Sequence, residues 1–493
     1  MGWKVKMTET RNALRFLLND AEVALDEVPA TQTLLDFLRL ERRLTGSKEG
    51  CAEGDCGACT VLVGRLRGGE LAYESINACI CFTGSLDGAH VVTIEHLSRA
   101  DGPLHPVQAA MVAEHGSQCG FCTPGIVMSL YSLWMREAQP GQLSAELALQ
   151  GNLCRCTGYA PIIRAAKSIS SHGSVVEDPL VKHREATKAR LRALRDGKRV
   201  EIGTGKGRLI VPASVDDLAE IYAAEPTATL VSGATDVGLW VTKFMRDIGP
   251  VIFIGDLKDT QSISDSAEGM TLGAGVTYTR ARAAMVQKYP QLTELWDRIG
   301  GEQVRNAGTV GGNIANGSPI GDTPPPLIAL GASVTLRKGK SRRVVKLEEY
   351  FIAYGKQDRQ PGEFVESVFI PALPAGDQFA CYKITKRRDE DISALCGAFR
   401  VTVAEGVVKA AVIAFGGMAA TPKRAKAVET ALVGKPWTTE TIEAALPAFG
   451  IDYQPISDMR ASAEYRLLAA QNLLRRFHLE GTGAAVRLVR EVA

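Results

Sequence analysis

A chain of 493 residues that is 45% hydrophobic holds enough apolar material for about three cored domains, and its 57 basic and 55 acidic residues nearly cancel. That balance leaves no basic surface for nucleic acid and no acidic tail. No run approaches about 18 consecutive apolar residues, which argues against a membrane helix. The polar opening Met1–Thr10 has neither an apolar stretch nor a twin-arginine pair, so a cytoplasmic protein without an export signal is expected.

In chain order, residues 12–26 read as a hairpin turning at Asn19-Asp20. A short helix follows with Thr33 as N-cap, Asp36 three residues on, and Leu34, Leu35 and Leu38 on one face. Residues 60–63 and 91–94 look like strands, giving a small β domain with one helix over 10–98. From about Leu104 the period becomes helical. Pro106 suits a first helical position; Ile126, Leu130, Leu133 and Trp134 form a second apolar face, and 144–149 and 162–169 are shorter helices. Together these make a four-helix unit over 99–172. Residues 173–203 are polar and charge-rich and read as a linker, partly helical or disordered. Beyond it, strand-like 230–231 and 251–254 alternate with helical 279–285 and 292–299 in a domain over 204–375. Strand 407–415 and helix 465–477 suggest a further subdomain over 376–490.

Eleven cysteines are many for a reducing compartment, where disulfides rarely persist. Nine fall between Cys51 and Cys156, so metal ligation is the better reading. Cys51, Cys56 and Cys59, followed by Cys79, have the plant-type spacing for a 2Fe–2S cluster. Gly50, Gly54 and Gly57 let the loop wrap tightly and leave amides free for the sulfurs. Cys79, leaving a strand, is a better fourth ligand than Cys81, which reads as a buried thiol. The second set, Cys119 and Cys122 with Cys154 and Cys156, sits at helix N-termini, whose dipoles favour an anionic cluster. Taken alone, this set also allows a four-cysteine zinc site. Cys381 and Cys396 read as core residues.

Two glycine-bearing segments follow, Leu230–Val237 and Asn306–Pro319, the latter closed by Gly321-Asp322. Each could turn consecutive amides toward a pyrophosphate, with Gly233 at positive φ and Asp236 as a hydrogen-bonding partner. Neither is a Rossmann fingerprint, and on composition alone a tight structural turn explains them as well. Gly203–Gly207 lacks P-loop spacing and reads as a turn.

From His105-Pro106-Val107-Gln108 through Gln118-Cys119-Gly120-Phe121-Cys122 to Asn152-Leu153-Cys154-Arg155-Cys156-Thr157-Gly158, the sequence resembles the iron–sulfur module of the xanthine dehydrogenase (molybdenum hydroxylase) family. The two glycine segments resemble that family's FAD loops, and Gly416–Ala419 with Pro422–Ala425 resemble the domain that closes over its flavin.

The resemblance implies an α+β multidomain chain. Its parts are a β-grasp ferredoxin-like domain, a four-helix 2Fe–2S domain, an FAD domain of the vanillyl-alcohol-oxidase/CO-dehydrogenase-flavoprotein type and a C-terminal α+β subdomain. It implies FAD contacts at Leu230, Val231, Ser232, Gly233, Ala234, Thr235, Asp236, Val237, Thr309, Gly312, Asn313, Asp322, Val365 and Lys383. Ile299 stands where animal members place a phenylalanine. Gln118 and Cys156 would face a molybdenum–pterin, and Arg387 and Glu390 would lie on the NAD side, a solvated charge run being the plain alternative for 387–391. No catalytic residue is expected on this chain, because in the family the molybdenum domain follows the flavin domain and this sequence stops at Ala493. The implied protein is the small subunit of a two-subunit member. It would carry two 2Fe–2S clusters and FAD, and would pair with a separate molybdenum-binding large subunit as an (αβ)2 heterotetramer. It would pass electrons to NAD+ while the complex oxidises hypoxanthine and xanthine to urate. The same role for another N-heterocycle or an aldehyde is the alternative, and a zinc-binding non-enzymatic protein a remote one.

Overall fold

In the computed structural model, which describes residues 8–97, 102–484 and 486, Leu14–Leu18 pairs antiparallel with Ala21–Leu25 as the hairpin pattern predicts. Met1–Met7, the expected boundary at 98–99 and the last residues of the expected C-terminal subdomain lie outside the described residues. Leu14–Leu18 also runs parallel to His90–Val92, which pairs with Thr60–Arg67; Glu70–Asn77 completes a five-stranded sheet. Thr33 caps its helix as expected: its hydroxyl oxygen accepts from the Asp36 amide at 3.1 Å. Phe16, Leu34, Leu35, Phe37, Leu38 and Val61 bury together beneath it. The strand expected over 91–94 ends at Val92, because the Thr93 amide donates to Asn19 Oδ1 at 2.9 Å and Ile94 opens a 3-10 turn.

His90 sits inside this sheet, 3% exposed, between two partners. Its Nε2 lies 2.8 Å from the Asn19 carbonyl and its Nδ1 2.7 Å from the Tyr73 hydroxyl. A neutral ring, with the proton on Nε2, satisfies both. Burial drives its pKa from 6.5 down to about 4. Between those values the unfolded chain binds a proton that the folded module refuses. This share of stability is therefore whole above pH 6.5, falls on acidification and levels off below about pH 4, totalling on the order of 3 kcal/mol. Urea unfolding at pH 7 and pH 5 should show the loss, and His90→Gln should flatten the slope; an equal slope in the variant would assign it elsewhere.

The helical unit comprises Pro106–Ala113, Thr123–Arg136, Gln142–Ala148 and Ala160–Ser168, with Pro106 at the first turn as predicted. Val107, Ile126, Leu130, Trp134 and Ala165 are fully or almost fully buried between them. Residues 173–203, expected as a linker partly helical or disordered, are helical in part and dock on this core. Pro179–Lys182 and Arg184–Leu194 are helices whose Leu180, Leu191 and Leu194 join the same core. Asp178 anchors them: its carboxylate accepts from Tyr131 Oη at 2.7 Å, His105 Nε2 at 2.9 Å and the Leu180 amide at 2.9 Å. The many charges had masked a narrow leucine face. Arg199–Ile202 then enters a sheet with Thr10–Arg11, Leu209–Val211, Val251–Phe253 and Thr229–Val231.

Two compact units result, one of Met1–Leu257 with Gly300–Gly308, the other of Lys258–Ile299 with Thr309–Ala493. The second unit holds an antiparallel sheet ordered Ile263–Asp265, Gly269–Gly273, Phe364–Pro371, Ser333–Lys338, Ser341–Lys346. The helix expected over 292–299 is the shorter Thr293–Asp297, preceded by a 3-10 turn. A second sheet, Asp377–Ile384, Leu395–Ala404, Val407–Gly416 and Lys423–Arg424, buries Phe399 and Phe415 against Phe449 and Phe477. Among the described residues no helix is long and apolar enough to cross a membrane.

Candidate cofactor sites

The loop from Gly50 to Cys59 turns through left-handed backbone at Ala52, Gly54 and Gly57. Those turns aim the amides of Glu53, Asp55 and Cys56 at Cys51 Sγ, each 3.4 Å away. Cys79, just past its strand, brings the fourth sulfur: Cys51 contacts Cys56 and Cys79, and Cys79 contacts Cys59. Donation from Cys56 and Cys79 holds the Cys51 thiol far below its ordinary pKa, while the interaction with Cys51 pushes Cys56 and Cys79 up. A Cβ at Gly50 would stand 2.8 Å from Cys56 Sγ, so the loop has no room for a side chain there. Cys81 lies apart, its thiol 3.5 Å from Ser85 Oγ and raised by burial.

In the second set Cys122 caps Thr123–Arg136, while Cys154 and Cys156 precede Ala160–Ser168. Their sulfurs pair as Cys122 with Cys154 and Cys119 with Cys156. Burial, reinforced by Cys154, pushes the Cys122 thiol up to about 12. Burial opposes ionisation of Cys154 as well, but donors around Thr157 outweigh it and lower that thiol. Cys119, Cys156 and Gln118 are exposed. Among the described residues no group of three or more His, Cys, Asp or Glu has the geometry of a single-ion site. Converging sulfurs met by backbone donors are what an anionic iron–sulfur cluster needs, and both sets fit one.

The two cysteine loops touch. The Leu153 amide donates to the Cys56 carbonyl at 2.9 Å, and Asn152 Nδ2 to the Gly57 carbonyl at 3.3 Å. A Cβ at Gly57 would collide with the Gly151 carbonyl, and one at Gly125 with the Gly57 carbonyl.

The flavin candidates fall in both units. In the first, Thr229–Val231 leads into Ser232–Asp236 and the helix Val237–Thr242. Gly233 does not have the positive φ expected of it; Ala234, at 59°, takes the left-handed turn. What demands glycine is contact, since a Cβ at 233 would run into the Ala307 carbonyl. Asp236 is exposed and accepts from Trp240 Nε1 at 3.1 Å. Ser232 Oγ is buried with no hydrogen-bond partner among the described residues. An orphaned hydroxyl beside a side-chain-free backbone fits a phosphate-bearing cofactor.

In the second unit, Thr309 caps the helix Val310–Asn316, its Oγ1 accepting from the Gly312 amide at 3.0 Å. The segment is thus a helix start rather than an open nest of amides. Asn313 Oδ1 accepts from Thr323 Oγ1 at 2.6 Å. Asp322 takes Lys383 Nζ on one oxygen and Ser393 Oγ on the other. Ile299 and Val365 are buried in the core. Arg387 is exposed, its amide donating to Asp391 at 2.8 Å, and Glu390 turns the loop at a φ of 47°. Cys381 and Cys396 are buried, 3.8 Å apart at sulfur.

Gly233→Val should lower flavin content with iron unchanged, through steric overpacking that costs about 1–3 kcal/mol locally. The flavin-to-iron ratio and the melting temperature, read together, check this. A lower melting temperature at an unchanged ratio would reduce Gly233 to a packing role.

A ferredoxin-like sheet and a helical unit, each bringing four sulfurs together, ahead of glycine-bearing loops, define an iron–sulfur flavoprotein architecture. Four family descriptions match along the chain: "2Fe-2S iron-sulfur cluster binding domain" at 16–83, "2Fe-2S binding domain" at 93–167, "FAD binding domain in molybdopterin dehydrogenase" at 204–373 and "CO dehydrogenase flavoprotein C-terminal domain" at 380–481. Xanthine dehydrogenase of Emericella nidulans is 31% identical over 95% of this chain and 39% of its own length. Nicotinate hydroxylase of the same organism is also 31% identical, over 94% of this chain and 40% of its own. A solved chain of carbon monoxide dehydrogenase from Hydrogenophaga pseudoflava matches 54% of this chain and 93% of itself, at 28% identity and a TM-score of 0.51. The chain belongs to the molybdenum hydroxylase family. It spans about 40% of the length of these curated relatives.

The sequence reading passed over Gln303 and the side chains around it. Its partners Thr60, Ser129 and Asn152 lie 243, 174 and 151 residues away, so no local spacing could reveal them.

Proposed function

We propose that this chain is the electron-transfer subunit of a xanthine dehydrogenase, linking a separate molybdenum-binding subunit to NAD+. Bound FAD would supply the junction between one-electron and two-electron chemistry. The observation that carries the reading is the direct hydrogen bond between the Cys56 carbonyl and the Leu153 amide, which joins the two cysteine loops.

This chain's own residues have defined tasks in that reading. Cys51, Cys56, Cys59 and Cys79 hold one cluster in a loop whose amides offset its charge. Cys119, Cys122, Cys154 and Cys156 hold the other, and the exposure of Cys119, Cys156 and Gln118 suits a face turned to the molybdenum subunit. In the first unit Ser232 and Gly233 would receive the flavin pyrophosphate. Arg387, exposed, and Glu390, half-buried three residues on, would serve the nicotinamide side.

Purified with its partner, the protein should reduce NAD+ on addition of xanthine; alone, it should oxidise NADH with an artificial dye and leave purines untouched. Xanthine turnover by the isolated chain would overturn the subunit reading. The second reading, the same role in a hydroxylase of another N-heterocycle, draws on the equal identity to nicotinate hydroxylase. Turnover of nicotinate but not xanthine by the complex would select it.

A further inference from the structure

Nine residues, Gly300–Gly308, leave the second unit and belong with the iron–sulfur unit. Polar side chains fasten their short helix, Glu302–Ala307. Arg136 donates to Glu302 at 2.7 Å, Arg305 to Gln150 at 2.9 Å, and Asn306 to the Ser75 carbonyl at 2.9 Å. At their centre is Gln303, 1% exposed.

The Gln303 carboxamide meets both cysteine-bearing modules at once. Its Nε2 lies 3.1 Å from Thr60 Oγ1, 3.1 Å from Ser129 Oγ and 2.9 Å from Asn152 Oδ1. Thr60 follows Cys59, Ser129 rides on the helix capped by Cys122, and Asn152 stands two residues before Cys154. Thr60 spends its own proton on the Gly57 carbonyl at 2.6 Å, and Ser129 spends its proton on Asn152 Oδ1 at 2.7 Å. All three neighbours therefore present lone pairs to position 303, and only a donor satisfies them. Flipping the amide would set four oxygens against one another, so the network itself fixes its orientation. Asn152 passes the constraint on to the Gly57 carbonyl.

We propose that Gln303 is a positioning residue that holds the two cysteine loops in register, and so sets how strongly the two iron–sulfur clusters interact. The assignment rests on the cluster reading above. Apolar side chains could glue the modules together equally well, since a buried polar network gains little net stability. What the network adds is directional constraint, because the two Nε2 protons are shared among the three acceptors in one arrangement of the loops. Two paramagnetic centres sense each other through a coupling that changes steeply with their separation and orientation. A small shift of either loop should therefore be visible in the spectrum before it is visible in the fold.

Gln303→Glu keeps the shape and replaces the donor with a carboxylate. In the full-length chain, electron paramagnetic resonance of the fully reduced wild type should show a broadening or splitting that is missing when only one cluster is reduced. In the variant this splitting should be lost or altered, with iron per chain unchanged. An identical splitting at unchanged iron would overturn the assignment. Should Gln303→Glu fail to retain iron, Ser129→Ala removes one strut while leaving Gln303 in place. Altered splitting in that variant supports the proposal, and wild-type splitting overturns it. Wild-type protein purified under anaerobic conditions without iron or labile sulfide would instead overturn the cluster reading beneath it.

Discussion

Replacing Cys56 by serine is expected to remove one of the two iron–sulfur signals and leave the other. Serine preserves the size of the side chain but exchanges a soft thiolate for a hydroxyl, which holds iron–sulfur clusters poorly. The Cys56 carbonyl survives the change, so the Leu153 amide keeps its acceptor and the second loop keeps its place. The core around Ile126, Leu130 and Trp134 holds the helical unit without help from Cys56. Iron analysis and electron paramagnetic resonance of the reduced variant check this. Loss of both signals from protein that still unfolds cooperatively would show that the two sites do not assemble independently.

Removing the charge of Lys383 should have the largest effect on stability. Its side chain is 3% exposed and that of Asp322 11%, so the pair is withdrawn from water. With Lys383→Met the Asp322 carboxylate keeps, among the described residues, only the Ser393 hydroxyl as a side-chain donor. An uncompensated buried charge costs about 3–5 kcal/mol. Cutting an outlying pair such as Arg475–Glu443, whose side chains are 36% and 47% exposed, should cost far less, because water screens it. Urea unfolding followed by a probe in the second unit measures the difference. The double change Lys383→Met with Asp322→Asn should recover part of the loss, because no bare charge remains. Equal destabilisation by Lys383→Met and Arg475→Ala would mean that water reaches the Asp322 pair after all.

Features written within a few residues were legible in the sequence. The cap of Thr33 over Asp36, Pro106 at a first turn and the close spacing of Cys51, Cys56 and Cys59 each declare a local backbone shape, and the structure has those shapes. Gly233 misled because glycine has two uses. It was read as a conformational necessity, whereas the constraint is the approach of the Ala307 carbonyl, made by chain distant in sequence. Residues 173–203 misled because their composition is dominated by solvated charges, while Leu180, Leu191 and Leu194 suffice to dock them. Gln303 carried no signal at all: a lone glutamine becomes informative only once folding has placed three acceptors around it.

Thr10 pairs with Arg199 and Arg11 with Val200, in parallel, at the edge of the sheet that continues to Phe253. Topologically, the entire iron–sulfur portion is an insertion within that sheet, because its first strand precedes the inserted chain and the rest follow it. During synthesis the leading strand must therefore wait for its neighbour. At roughly 5–20 residues per second the delay is about 10–40 s, long enough for the ferredoxin-like and helical parts to settle first. Thr10–Arg11 therefore joins its sheet only after the inserted chain has been made, seated by Arg11, whose guanidinium reaches Asp87 at 2.8 Å and Asp196 at 3.1 Å.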